Sequence, residues 1–195
     1  YNQGVMLFDL GQIEVALSCF DRTLALKPDF STAHYNRGLA LYALQRHEEA
    51  ARAFETRLEA AADDADAWYA LSRTRNQLGN TTGQIQALET AIELQPGHAR
   101  ALVDLAVRRN GQGDSGSAET LLKQALEHHP GYAMAEFNLG LILKTQGRYA
   151  ASLEHFQAAL AKDATKSAFQ YNTGLALLHL KRYEEAAACF ETALA

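Results

Sequence analysis

The segment Gly111-Gln112-Gly113-Asp114-Ser115-Gly116 carries the spacing G-x-G-x-x-G, which in a strand–turn–helix setting cradles the pyrophosphate of a dinucleotide. That chemistry requires a preceding strand, and the residues before Gly111 repeat at helical period. The segment therefore reads as a loosened turn between two helices, a flexible joint rather than a nucleotide cradle. The seven histidines show no metal-ligand spacing. His128 and His129 are adjacent, so on a helix they diverge, and they stand near a helix end, where a cation suits the dipole. His-Glu-x-x-His, Cys-x-x-Cys and nucleophile-elbow spacings do not occur. The pairs Glu48-Glu49 and Glu184-Glu185 fall at helix starts, where negative charge is favoured, and no two carboxylates are set for acid–base work. The chain thus reads as a non-catalytic protein with no cofactor and no metal site. The groups left to carry function are amides, phenols and guanidiniums on one helix face.

Those groups are positioned by a repeat. Starting at Ser31, the sequence returns to the same pattern every 34 residues, at Ala65, Ala99, Ala133 and Ser167, without insertion or deletion. A partial copy precedes Ser31, so the copies are 1–30 (partial), 31–64, 65–98, 99–132, 133–166 and 167–195 (partial). With each copy numbered from 1 to 34, position 8 holds Gly4, Gly38, Ser72, Ala106, Gly140 and Gly174, and position 20 holds Ala16, Ala50, Gln84, Ala118, Ser152 and Ala186. Small residues at both positions let two helices approach closely. Position 24 is large and apolar in every copy (Phe20, Phe54, Leu88, Leu122, Phe156, Phe190) and fills space between hairpins. Pro28, Pro96 and Pro130 at position 32 stop a helix, because proline lacks an N–H and clashes with the preceding turn. Gly11, Gly79, Gly113 and Gly147 at position 15 suit the turn between the two helices. A fixed period of this size means stacked helical hairpins, an all-α solenoid.

This pattern resembles the tetratricopeptide repeat (TPR) family over the whole chain. The resemblance is carried by Tyr35-Asn36-Arg37-Gly38 with Glu48-Glu49-Ala50 and Phe54, by Phe137-Asn138-Leu139-Gly140 with Leu160, and by Trp68 at the family's tryptophan position. It implies a right-handed superhelix of antiparallel helix pairs, with helix A over positions 2 to 14, helix B over 18 to 31, and the A helices lining a concave groove that binds a protein or peptide. The domain expectation is a single array over 1–195, cut from a longer protein.

Positions 2, 5, 6, 9, 12 and 13 share one face of helix A by the i, i+3, i+4, i+7 rule. The candidate groove residues on this face are Tyr35, Asn36, Leu39, Tyr69, Arg73, Asn76, Arg100, Asp104, Asn138, Leu141, Tyr171 and Asn172. Asparagine stands at position 6 in four copies and is interrupted by Ala70 and Asp104. An amide donates and accepts together, so such a row can pair with an extended peptide backbone. The row is similar to the ladder in the TPR arm of O-GlcNAc transferase and in the peroxisomal import receptor. A carboxylate clamp of the chaperone-binding subclass would need Lys at 5 and Asn at 9, and no copy has either. In the middle copies Arg73 and Arg100 face the groove, while Arg75 and Arg109 occupy position 11, usually apolar, and Arg57 occupies position 27, usually alanine. A buried guanidinium needs a partner. Either these arginines grip an acidic group of a ligand, or they pair internally with Asp66, Asp104 or Glu89, and internal pairing is the expectation.

Composition sets limits on partners. The net charge is −5 over 195 residues, of which 48% are hydrophobic. No long basic stretch offers a footprint for nucleic acid. Every apolar run falls short of the ~20 residues of a membrane span, so membrane insertion is not expected. Cys19 and Cys189, both at position 23, read as separated free thiols. They favour a reducing compartment, hence a cytoplasmic location, with the periplasm left open. The leading function is a scaffold that binds an extended peptide or helix of a partner. The alternatives are a substrate-selecting arm of a larger enzyme such as a glycosyltransferase, or self-association through terminal helices that keep the apolar residues Ala186, Phe190 and Ala193.

Overall fold

The computed structural model describes residues 1–194. Ala195, the last residue of the sixth copy, lies outside them. Among the described residues there are twelve helices and no strand, and helices A and B alternate through all six copies. The residues before Gly111 are helical, as the fingerprint segment required for a helix–helix turn.

Two compact units are formed. The first, Tyr1–Pro96, holds α1 (Asn2–Asp9), α2 (Ile13–Leu26), α3 (Ser31–Ala43), α4 (His47–Ala60), α5 (Ala65–Gln77) and α6 (Thr81–Leu94). The second, Gly97–Ala195, holds α7 (Ala99–Gly111), α8 (Ser115–His128), α9 (Ala133–Thr145), α10 (Tyr149–Lys162), α11 (Ser167–His179) and α12 (Tyr183–Leu194). Full A helices occupy positions 1 to 13 and full B helices begin at 17, one residue earlier than expected from the sequence. In two copies, position 34 of the preceding copy supplies a side-chain N-cap to helix A. Asp64 accepts from Ala67 N at 3.0 Å, and His98 Nδ1 accepts from Ala101 N at 3.1 Å, each satisfying an amide that the first helical turn leaves open.

Each hairpin closes on the pair formed by positions 8 and 24. Phe54 and Phe156 are fully buried against Gly38 and Gly140; a Cβ on either glycine would lie 2.6 Å from the ring. Where position 24 is Leu88 or Leu122, position 8 is Ser72 or Ala106 instead, and all four are at most 1% exposed. The large residue at 24 therefore fills space within its own hairpin. Position 15 adopts left-handed backbone in every copy: glycine does so in four, and Gln45 (φ 59) and Lys181 (φ 62) do so in the other two. Helix–turn–helix geometry thus overrides the ordinary cost of that conformation in a residue with a Cβ.

Successive hairpins are tied by rings as well as by burial. Trp68 Nε1 donates to the Ala62 carbonyl at 2.9 Å, and His34 Nε2 meets the Pro28 carbonyl at the same distance. Position 4 of one copy thereby holds position 32 of the copy before it. In the second unit Phe137 packs on both Phe156 and Phe169, with ring centroids 5.7 and 4.6 Å apart.

Candidate functional site

In each unit successive A helices lie side by side: α3 touches α5, and α9 touches both α7 and α11. Positions 2, 6, 9, 12 and 13 open onto the face they share. Position 5 mostly does not. Tyr69 is 8% exposed and Val103 4%, and the half-buried Tyr35 leans edge-on against Phe54, centroids 5.8 Å apart. These residues are held in the hairpin cores. Tyr171, at the same position in the last copy, is exposed, and with Asn172, Phe190 and Leu194 it lines an apolar cavity of about 460 Å³.

The asparagines at position 6 differ in what they still offer. Three of the four fold one N–H back onto the carbonyl four residues earlier: Asn36 onto Thr32, Asn138 onto Met134, Asn172 onto Ala168. Asn36 spends a second N–H on the Tyr1 hydroxyl at 2.9 Å, which leaves only its carbonyl oxygen. Asn172 has its Oδ1 taken by Lys144 Nζ at 2.6 Å. Of these three, Asn138 alone combines a free N–H with an oxygen that accepts no described hydrogen bond. It lines a cavity of about 150 Å³ between α7, α8 and α9 together with Leu141, Val107 and Asn110. Asn110 Oδ1 accepts from the Ser115 hydroxyl at 2.8 Å, so its amide N–H groups are what it presents.

In the first unit the corresponding place is filled. The Arg73 guanidinium lies 4.9 Å from the Tyr42 ring centroid and donates to its hydroxyl at 3.2 Å. His47 packs on Tyr42 at 5.3 Å. A cation over an aromatic face is a favourable arrangement, and here it joins α3 to α5. Arg100 and Asp104, in the second unit, lie near Tyr132, whose phenol is pushed above its ordinary value by burial, with Asp104 adding and Arg100 opposing.

Arg57 and Arg75, the other arginines that break the repeat pattern and have described partners, are bonded within the seams between helices. Arg57 binds Asp64 (Nη2–Oδ2 2.8 Å) and the Ser31 hydroxyl at 2.7 Å. Arg75 reaches Glu55 at 3.2 Å and the Gly83 carbonyl at 3.2 Å. Among the described contacts, Arg57, Arg73 and Arg75 are thus joined to Asp64, Tyr42 and Glu55 across the seams between helices.

Lys144, at position 12, was not among the residues singled out from the sequence. Its ammonium is half-buried, its hydrogen bond is to a neutral amide, and burial alone lowers its pKa from the ordinary 10.5. A lysine whose folded pKa is depressed adds stability that is fully present above the unfolded value and is lost as pH falls through the folded value. Urea unfolding of Lys144→Met should therefore lack part of the alkaline stability gain of the unsubstituted chain, and the variant should be the more stable of the two at neutral pH. Equal pH profiles would show that the ammonium bears no burial cost.

The sequence model of the tetratricopeptide repeat matches residues 1–65, 47–99, 103–167 and 143–195. The chain belongs to the tetratricopeptide repeat family. Its fold, an all-α TPR solenoid, is also that of several solved structures. PilF of Pseudomonas aeruginosa superposes with a TM-score of 0.87 at 13% identity, over 96% of this chain and 86% of that one. YrrB, described as a TPR protein with an unusual peptide-binding site, gives 0.67 at 23% identity, over 93% and 89%. MamA gives 0.72 at 20% identity, over 83% and 94%. At these identities the likeness establishes the fold. No curated protein matches the sequence.

Among the described residues, no group of His, Cys, Asp and Glu comes together as a metal site. No helix among them is long and apolar enough to cross a membrane.

Proposed function

We propose that the six TPR copies form one non-catalytic array that binds an extended peptide segment of a partner protein along its A-helix face. The observation that carries this reading is Asn138. It keeps an unspent donor and acceptor at the rim of an apolar cavity, which is the complement of a peptide group with its side chain. The likeness to a TPR protein whose described site binds peptide fits the same reading. Free Cys19 and Cys189 suit a reducing compartment such as the cytoplasm.

The test is affinity capture from lysate with the whole chain, run beside Asn138→Ala and Asn36→Ala. The prey should be lost with Asn138→Ala and kept with Asn36→Ala, because the Asn36 amide hydrogens are already committed. Prey retained by both would remove the A-helix face from the function.

A further inference from the structure

Two features of the second unit lie on one helix and ask for different chemistry. At Asn138 the cavity has an aliphatic wall in Val107 and Leu141 and polar groups in Asn138 and Asn110. Its volume of about 150 Å³ suits a group no larger than benzene, and its wall carries no aromatic ring. Six residues further along α9 stands Lys144. Its charge is half-buried and its hydrogen bond is to an amide oxygen, Asn172 Oδ1 at 2.6 Å. A carboxylate there would replace a neutral acceptor with a charged one and offset the desolvation of the ammonium. Burial holds that ammonium below its ordinary pKa, which is the signature of a cation not yet matched by an anion.

We infer that the second unit selects its peptide by two side chains, an aliphatic one seated in the Val107–Asn138–Leu141 cavity and an acidic one paired with Lys144. This rests on the peptide-binding reading above and adds specificity to it. The spacing follows from geometry. Six helical residues rise about 9 Å and leave the two side chains about 120° apart around the axis, so Asn138 faces α7 and Lys144 faces α11. Adding a lateral offset of about one interhelical spacing, roughly 8–10 Å, gives about 13 Å, which an extended chain covers in about four residues at roughly 3.3 Å each. The sequence recognised is therefore an aliphatic residue and an Asp or Glu about four positions apart, with the Asn138 amide pairing the backbone beside the aliphatic residue.

The experiment is selection of a phage-displayed random dodecapeptide library on the whole chain, on Lys144→Met, on Val107→Trp and on Asn138→Ala. Val107 is 51% exposed at the cavity rim, so a tryptophan there plugs the cavity without entering the core. The unsubstituted chain should enrich the aliphatic–acidic pair at that spacing. Lys144→Met should lose the acidic preference and keep the aliphatic one, with Val107→Trp giving the reverse. For a selected peptide, replacing its Glu by Gln should weaken binding at least tenfold to the unsubstituted chain and leave binding to Lys144→Met unchanged. Peptides that depend on Asn138 but carry no acidic residue, or whose acidic preference survives Lys144→Met, would overturn the two-side-chain inference and leave the peptide-binding reading standing. A library that yields no peptide dependent on Asn138 would overturn both.

Discussion

Gly140→Ala destabilises the second unit by about 1–3 kcal/mol in urea unfolding, although alanine is by about 1 kcal/mol the better helix former. The new Cβ would lie 2.6 Å from Phe156 Cε1 and 2.7 Å from its Cδ1, closer than any ordinary contact. The ring is fully buried between helices and has no free end to swing away. The chain itself contains the compensated arrangement: in the fourth copy Ala106 faces Leu122, at 1% and 0% exposure. Phe156→Leu alone leaves a cavity opposite glycine and costs about 2 kcal/mol. The double variant Gly140→Ala/Phe156→Leu restores the fourth-copy pairing and should cost less than the sum by at least about 1 kcal/mol, a coupling within the range of touching residues. Strict additivity in this cycle would show that positions 8 and 24 are not the contact that closes the hairpin.

That pairing was present in two columns of the sequence, where glycine goes with phenylalanine and serine or alanine with leucine. The period gave the hairpins, their turns and the family because it acts locally, within one copy. Gln45 and Lys181 show how far the turn was legible: the left-handed residue is at position 15 even where no glycine marks it. The candidate site was less legible because its state depends on contacts between copies. Tyr1 reaches Asn36, Tyr42 reaches Arg73 and Lys144 reaches Asn172, pairs 35, 31 and 28 residues apart. These separations depend on the offset between neighbouring A helices, which a repeat length does not fix. Reading down each column ranked all the asparagines alike, and the offset then spent the amide of Asn36, half-spent that of Asn172 and left Asn138 available. The same offset places position 5 in the core, so Tyr35 and Tyr69 hold the hairpins on which the open positions ride.

Arg57 is the clearest break in the repeat, and its partner carries the second large effect. Alanine stands at position 27 in all four copies that follow, and Ala91, Ala125 and Ala159 are fully buried. Arg57 escapes that fate by extending along the seam, where it joins Ser31 at the start of α3 to Asp64 at the start of α5. Asp64 works twice: Oδ2 accepts from Arg57 while Oδ1 caps α5 through Ala67 N. Asp64→Ala therefore removes a cap, about 1 kcal/mol, and leaves a guanidinium only 19% exposed without its carboxylate. Partial solvation reduces the second cost below that of a fully buried pair, so the total should be about 2–3 kcal/mol on the first unit. Asp64→Asn keeps an acceptor for Ala67 N and should lose about half as much. In an Arg57→Met background, where no charge remains to strand, Asp64→Ala should cost only the cap. Hydrogen exchange should place the loss in the first turn of α5 and in α4. A cost for Asp64→Ala that is the same with Arg57 and with Met at that position would mean that the ion pair adds nothing and that the cap alone holds the seam.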